Sequence, residues 1–112
     1  MSLNVATLVA DGAAYVTLAG ELDVWSELKL DDALRSVERR HPTQMLVDLT
    51  GLTFADATGP RLLQAANERA RREHRSLAVL QGPAQVHQVF CLAGLEGELN
   101  FVCPGDLEDE AE

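Results

Sequence analysis

The stretch that decides the fold is residues 47–63, which read VDLTGLTFADATGPRLL. Its beginning is apolar and is followed by the turn-forming residues Thr50 and Gly51. A short apolar run bounded by turn residues is typical of a buried strand. We therefore predict a strand over residues 45–49.

The second half of this stretch predicts the start of a helix. Leucine and alanine recur at helical spacing after residue 60, which indicates a helix from Gly59 or Pro60 to Glu73. Asp56 or Thr58 is expected to cap it, and proline is well tolerated in a first helical turn. Short polar residues beside free backbone N–H groups also make this loop a candidate binding site.

The flanking sequence predicts an alternation of strands and helices. Apolar alternation and turn signals indicate further strands over residues 3–10, 13–19, 76–80 and 99–102. One more helix is expected between a Ser26 cap and Pro42, and another between Pro83 and Gly94. The order ββαβαβαβ implies an α/β fold in which helices pack against a mixed sheet, parallel except for the opening hairpin.

Composition and charge restrict the class of protein. A chain of 112 residues with 46% hydrophobic residues suits one domain, which we place at residues 1–104. Residues 105–112 are rich in Asp and Glu and are expected to be a disordered tail. The net charge of −9 argues against nucleic acid as a partner. The sequence has no apolar span long enough to insert into a membrane, so we expect a cytoplasmic protein.

The sequence shows no pattern of a cofactor, metal or catalytic site. Its histidines lack the i, i+4 pairing that is typical of metal-binding helices, and there is no phosphate-binding loop. Cys91 and Cys103 both lie in apolar surroundings, so we expect two buried, inert thiols. Cys91 is the one plausible nucleophile, and no histidine is spaced to activate it. We therefore expect a protein that is not an enzyme.

Three segments together resemble the STAS domains of bacterial anti-sigma factor antagonists. They are Gly20-Glu21-Leu22-Asp23 after the second strand, residues 47–63, and Leu92-Ala93-Gly94-Leu95 after the third helix. In that family a hydrophobic strand leads into Asp-Ser-Ser-Gly or Asp-Ser-Thr-Gly and then into a helix. The resemblance runs over residues 3–102, nearly the whole chain.

The resemblance implies a phosphorylation switch whose usual acceptor is missing here. A partner kinase phosphorylates the first hydroxyl residue after the family's Asp, and Ala57 occupies that position. Thr58 matches the second hydroxyl position, and it is either an alternative acceptor or a helix cap. Asp56 has two interpretations: it shapes the loop and helps to dock the partner, or it is a plain helix cap or Asx turn. Pro60 departs from the family pattern.

The resemblance also implies a surface for a protein partner. The predicted contact residues are Glu21, Asp23, Asp56, Ala57, Thr58, Gly59 and Arg61. Trp25 lies beside them in the sequence, and its two interpretations are half-buried packing and a partner contact.

The function that the resemblance implies is protein–protein regulation. The chain is expected to bind an anti-sigma factor, or its serine kinase, and so to release a sigma factor. The alternatives are a soluble accessory subunit of a membrane transport ATPase and a stressosome-type scaffold. A monomer is expected, with a homodimer as the alternative.

Overall fold

The computed structural model describes residues 2–105. These residues form five strands, which are β1 (Leu3–Ala10), β2 (Ala13–Leu22), β3 (Gln44–Ala55), β4 (Ser76–Leu80) and β5 (Asn100–Val102). They also form three α-helices, which are α1 (Glu27–Glu38), α2 (Thr58–Arg72) and α3 (Ala84–Leu92). A single 3₁₀ turn, Val24–Ser26, precedes α1. The predicted order ββαβαβαβ and the α/β class are confirmed.

The five strands form one mixed sheet in the order β1-β2-β3-β4-β5. The β1–β2 hairpin is antiparallel, and the pairs β2–β3, β3–β4 and β4–β5 are parallel. Parallel neighbours require crossover connections, which α1, α2 and α3 provide. Because crossovers are right-handed and the strand order runs in one direction, all three helices lie on the same face of the sheet.

The core lies between that face and the helices. Val16, Val47 and Val79 are register partners on three neighbouring strands, and each is fully buried. The alternate residues project from the opposite face, where Leu8 and Tyr15 are exposed. One covered face and one open face follow from the period of two along each strand.

Two strands are longer than the sequence predicts. β3 continues to Ala55 instead of ending near residue 49, and β2 continues to Leu22. β4 pairs only with residues 44–48 of β3, so the later part of β3 pairs with β2 alone. The C-terminal half of β3 therefore extends the sheet beyond β4 together with β2, whose other side pairs with β1 as far as Gly20.

The turn signal after the predicted strand marks an irregularity of β3, not its end. The β2–β3 register shifts between Thr17 and Ala19 and again between Gly20 and Glu21. A β-carbon on Gly51 would lie 2.8 Å from the carbonyl oxygen of Leu18. Glycine is needed here because the two backbones approach closely, and the strand continues past it.

Helix α2 buries the side that the sequence predicts. Leu62, Ala66 and Ala70 are buried at i, i+4 and i+8, and Leu63 is fully buried beside them. Arg69 on the same helix forms two hydrogen bonds to the Glu38 carboxylate at the end of α1, at 2.7 and 2.9 Å. Packing and this ion pair fix α2 against the sheet and against α1. Of the predicted acidic tail, residues 106–112 lie outside the described part of the chain.

Candidate functional site

The extension of β2 and β3 brings two aspartates side by side. Leu22 and Ala55 are register partners at the ends of these strands, and Asp23 and Asp56 follow them directly. The Asp56 N–H donates to the Leu22 carbonyl oxygen at 3.1 Å, which joins the two connections. Each connection then leads into a helix. The two segments that carry the predicted partner residues thus meet at the C-terminal ends of β2 and β3.

The Asp56 side chain organises the start of α2. Asp56 Oδ1 accepts a hydrogen bond from the Thr58 N–H at 2.8 Å. The backbone carbonyl oxygen of Asp56 accepts one from the Gly59 N–H at 3.2 Å. The helix begins at Thr58, and Ala57 occupies the N-cap position without a side-chain capping bond. Asp56 therefore acts on the first turn from one residue before the N-cap, and Thr58 is not the cap that the sequence suggests.

The two residues after Asp56 differ sharply in exposure. Ala57 is exposed on the connection between β3 and α2. Thr58 is 5% exposed, although it is the nearest hydroxyl residue. A kinase requires an accessible hydroxyl. The accessible position, Ala57, has no hydroxyl, and Thr58, which has one, is buried.

Gly59 is required by close packing. A β-carbon at this position would lie 2.9 Å from Cδ2 of Leu22 and 3.3 Å from Cζ of Phe90. Both neighbours are fully buried. Gly59 does not have a positive φ, so the close approach of its neighbours is what requires glycine here.

The connection after β2 is closed by a reciprocal capping arrangement. Asp23 Oδ1 accepts from the N–H groups of Trp25 at 3.0 Å and Ser26 at 3.2 Å. The Ser26 hydroxyl oxygen accepts from the Asp23 N–H at 3.3 Å. Ser26 precedes α1 as predicted, but its hydroxyl makes no cap bond to α1 and closes this turn with Asp23 instead.

This rigid turn presents apolar side chains to solvent. Trp25 is 91% exposed, and Val24 and Leu28 are also exposed. The half-buried packing that the sequence allowed for Trp25 is therefore wrong. Sequence reasoning did not identify Val24 or Leu28 as site residues, although Leu28 lies off the buried stripe of α1 formed by residues 30, 34 and 37. Val24 and Trp25 in this turn, and Leu28 in the first turn of α1, make a candidate interaction site, because tryptophan is enriched among the residues that dominate interfaces.

An ion pair connects the two helix starts. Arg61, in the first turn of α2, pairs with Glu27, the first residue of α1. Both side chains are at least partly exposed, so the pair adds little stability and mainly sets the relative position of the two segments. Glu21 is half-buried and pairs in register with the exposed Phe54, on the side of the sheet opposite Leu22.

The cysteines do not form a nucleophilic site. Partial desolvation, together with the nearby Glu96 carboxylate, raises the pKa of the Cys91 thiol above its ordinary value. A raised pKa favours the protonated thiol at neutral pH, which is the less nucleophilic form. Cys103 is exposed and Cys91 is half-buried, so the prediction of two buried thiols is wrong.

Within residues 2–105, no helix has both the length and the apolar character needed to cross a membrane.

Comparison with known proteins places this geometry in a family. The model of the family described as "Mlab, STAS domain" matches residues 6–103. The chain is 25% identical over 96 residues to an anti-sigma-B factor antagonist of Staphylococcus epidermidis, covering 86% of this chain and 89% of the relative. It is 26% identical over 81 residues to the anti-sigma-F factor antagonist RsfB of Mycobacterium tuberculosis, covering 72% of this chain and 66% of the relative.

Solved structures share the fold at lower sequence identity. An anti-sigma factor antagonist from Mycobacterium paratuberculosis superposes with a TM-score of 0.82 at 22% identity, covering 98% of this chain and 93% of that one. The unphosphorylated form of the anti-sigma factor antagonist SpoIIAA superposes with a TM-score of 0.76 at 17% identity, covering 98% and 96%. The family match over residues 6–103 and the common arrangement of strands and helices lead to one conclusion: this chain is a member of the STAS domain family.

Proposed function

We propose that this chain is an anti-sigma factor antagonist-like regulator, which binds a kinase-type anti-sigma factor and so releases a sigma factor. Its docking surface consists of the exposed or half-exposed residues at the joined ends of β2 and β3. These residues are Glu21, Asp23, Val24, Trp25, Leu28, Asp56, Ala57 and Arg61. Thr58 and Gly59 are buried, so in this proposal they shape the surface from beneath.

The observation that carries the proposal is the combination of exposed apolar and acidic groups on a rigid base. Trp25 stands in a turn that Asp23 and Ser26 fix by hydrogen bonds. These bonds fix the backbone that carries Trp25, so less backbone entropy is lost on binding, and tryptophan is enriched among residues that dominate interface energy. The relatives with similar sequences are themselves named anti-sigma factor antagonists, which supports this type of partner.

The proposed regulation differs from a phosphorylation switch. A phosphate at the exposed position 57 would add about −1.5 to −2 charges beside Asp56, and like-charge repulsion together with the cost of desolvating the phosphate would oppose docking. Ala57 cannot receive it, and Thr58 is covered. The protein is therefore proposed to bind constitutively, with its activity set by its abundance.

The binding test uses the anti-sigma factors encoded in the same genome, each purified and titrated calorimetrically with this chain. Trp25→Ser removes the apolar anchor, and we expect it to weaken binding by about 30-fold or more, the usual effect of a hot-spot residue. The matched control is Leu92→Ser, which replaces another highly exposed apolar side chain, at the end of α3, that is not among the docking residues. The control is expected to leave the affinity unchanged.

A second pair of variants separates charge from loop geometry at Asp56. Asp56→Asn retains an oxygen that accepts from the Thr58 N–H, whereas Asp56→Lys removes this oxygen and reverses the charge. We expect a moderate loss of affinity for the first variant and a larger one for the second. Equal affinity of the wild type and both variants would exclude Asp56 from the interface.

A transport accessory subunit is the alternative that the same experiment distinguishes. The missing acceptor at Ala57 is the observation that favours it, because such a subunit needs no phosphorylation switch. If no anti-sigma factor binds, and a purified subunit of a transport ATPase binds in a manner that depends on Trp25, the alternative replaces the first proposal.

A further inference from the structure

We propose that His87, Cys91 and Glu96 form a binding site for a thiophilic divalent cation, for which Zn²⁺ is the best candidate. One donor atom of each side chain lies within 4.8 Å of the other two. None of these three residues belongs to the docking surface, so this proposal does not depend on the proposed function.

The helix geometry places two of the ligands together. His87 and Cys91 are one helical turn apart on α3, at i and i+4, so their side chains project from the same face. Glu96 follows the end of this helix at Leu92, in the connection that leads to β5. Three residues close in sequence thus converge from a helix and from the turn after it. Sequence reasoning missed the site because it searched for paired histidines, and the spacing here pairs a histidine with a cysteine.

The hydrogen bonding of His87 is a second observation that points to this site. Its Nδ1 atom is buried and has no hydrogen-bond partner among the described residues. A buried polar atom without a partner costs about 1–3 kcal/mol, so it calls for an explanation. The ring is held edge-on against Phe101, with centroids 4.8 Å apart, which limits its rotation. A metal ion bound at one ring nitrogen leaves the proton on the other nitrogen. It would therefore fix the tautomer of the imidazole and make the other nitrogen a hydrogen-bond donor.

The donor set suits zinc better than the hard cations. Thiolate and imidazole are ligands of Zn²⁺, whereas Mg²⁺ and Ca²⁺ prefer sites made of oxygen atoms alone. Zinc–ligand bonds of about 2.0–2.3 Å in a tetrahedron separate the donors by about 3.3–3.7 Å. The three donors therefore have to close by about 1 Å, a movement open to the exposed Glu96 side chain. Water would complete the coordination.

Binding is a simple exchange of a proton for a metal ion. The Cys91 thiol releases its proton to solvent as its sulfur bonds to the cation, and no oxidant or reductant is involved. His87 binds through a neutral nitrogen and Glu96 through its carboxylate oxygen. The bound ion would join α3 to the turn before β5 and so stabilise this end of the domain.

Cobalt(II) is the probe for the test, because its complexes with thiolates absorb light and Zn²⁺ displaces it. Titration of the full chain should produce a saturable thiolate-to-cobalt charge-transfer band at about one ion per chain. Cys91→Ser should abolish this band. The matched control is Cys103→Ser, which removes the other free cysteine and should leave the band intact.

Two further measurements keep the result independent of folding defects. Glu96→Gln changes an exposed residue, so the variant should fold normally and bind cobalt more weakly. Excess Zn²⁺ should raise the melting temperature of the wild type and of Cys103→Ser but not that of Cys91→Ser, because only ligands of the folded state stabilise it. Absence of a saturable band in the wild type, or a band that survives in Cys91→Ser, would overturn the proposal.

Discussion

At the residue scale, position 57 has the exposure that a phosphoacceptor needs and lacks the hydroxyl. Ala57 stands at the N-cap of α2, where the side chain points to solvent, and Thr58 is covered by the fold. The next residues are buried, with Pro60 restricting the first turn of the helix. A shift of the acceptor by one residue would therefore require the start of α2 to unwind.

We expect the wild-type protein to remain unmodified when incubated with a cognate anti-sigma kinase and ATP. The variant Ala57→Ser places a hydroxyl at the exposed position and is expected to gain one phosphate per chain. Intact-mass spectrometry measures both outcomes, and Ala57→Gly serves as a control without a hydroxyl. Stoichiometric phosphate on wild-type Thr58 would contradict constitutive binding and would restore a switch displaced by one residue.

Gly59 gives a prediction about stability at the same scale. A methyl group at this position would press against Leu22 and Phe90, which are both fully buried. We expect Gly59→Ala to lower the free energy of unfolding by about 1–3 kcal/mol, as overpacking does. Urea denaturation measures it. Gly97→Ala is the matched control, since its β-carbon would meet no atom within 4 Å, and an equal loss in both variants would exclude overpacking as the cause.

At the scale of elements, the start of α2 connects the site to the core. The helix carries Arg61 on its exposed side and Leu62 on its buried side, so one turn contributes both to the proposed docking surface and to the packing. Any change that tilts α2 would move the loop that Asp56 organises.

Leu62→Ala tests the packing of this helix. Leu62 is 7% exposed, and truncation of a buried leucine costs about 2–5 kcal/mol through lost burial and a residual cavity. Chemical denaturation should show this loss, whereas Leu92→Ala, at an 80% exposed position of α3, should change stability by less than about 0.5 kcal/mol. A loss well under 1 kcal/mol for Leu62→Ala would mean that α2 turns another side to the sheet.

At the scale of the whole molecule, the net charge of −9 should affect the rate at which the chain associates with the proposed partner. Opposite charges accelerate diffusional association, and salt screens this effect. If the partner's docking face is basic, raising the ionic strength from about 0.01 M to about 0.15 M should slow association by about tenfold or more. Stopped-flow fluorescence of Trp25, the single tryptophan, measures the rate. Faster association at higher salt would indicate an acidic partner surface.

The sequence alone determined the class of fold and most of its elements. Strands β1 and β4 have the predicted bounds, and the buried stripe of α2 follows the predicted spacing. These features depend on local periodicity and on turn residues, which act over a few positions along the chain. The family was recognisable from the same segments, because the residues that shape the loop at Asp56 are adjacent in the sequence.

Only the tertiary structure decided how far β2 and β3 extend, and therefore where the site lies. By local rules Gly51 would end a strand, but pairing with β2 continues β3 past it. Glycine stands there because the backbone of β2 leaves no space for a side chain. The exposure of Trp25 and the convergence of His87, Cys91 and Glu96 were likewise undetermined by the sequence. Local patterns record which residues favour burial or turns. Which groups meet, and which stay in contact with water, depends on packing between segments that are distant along the chain.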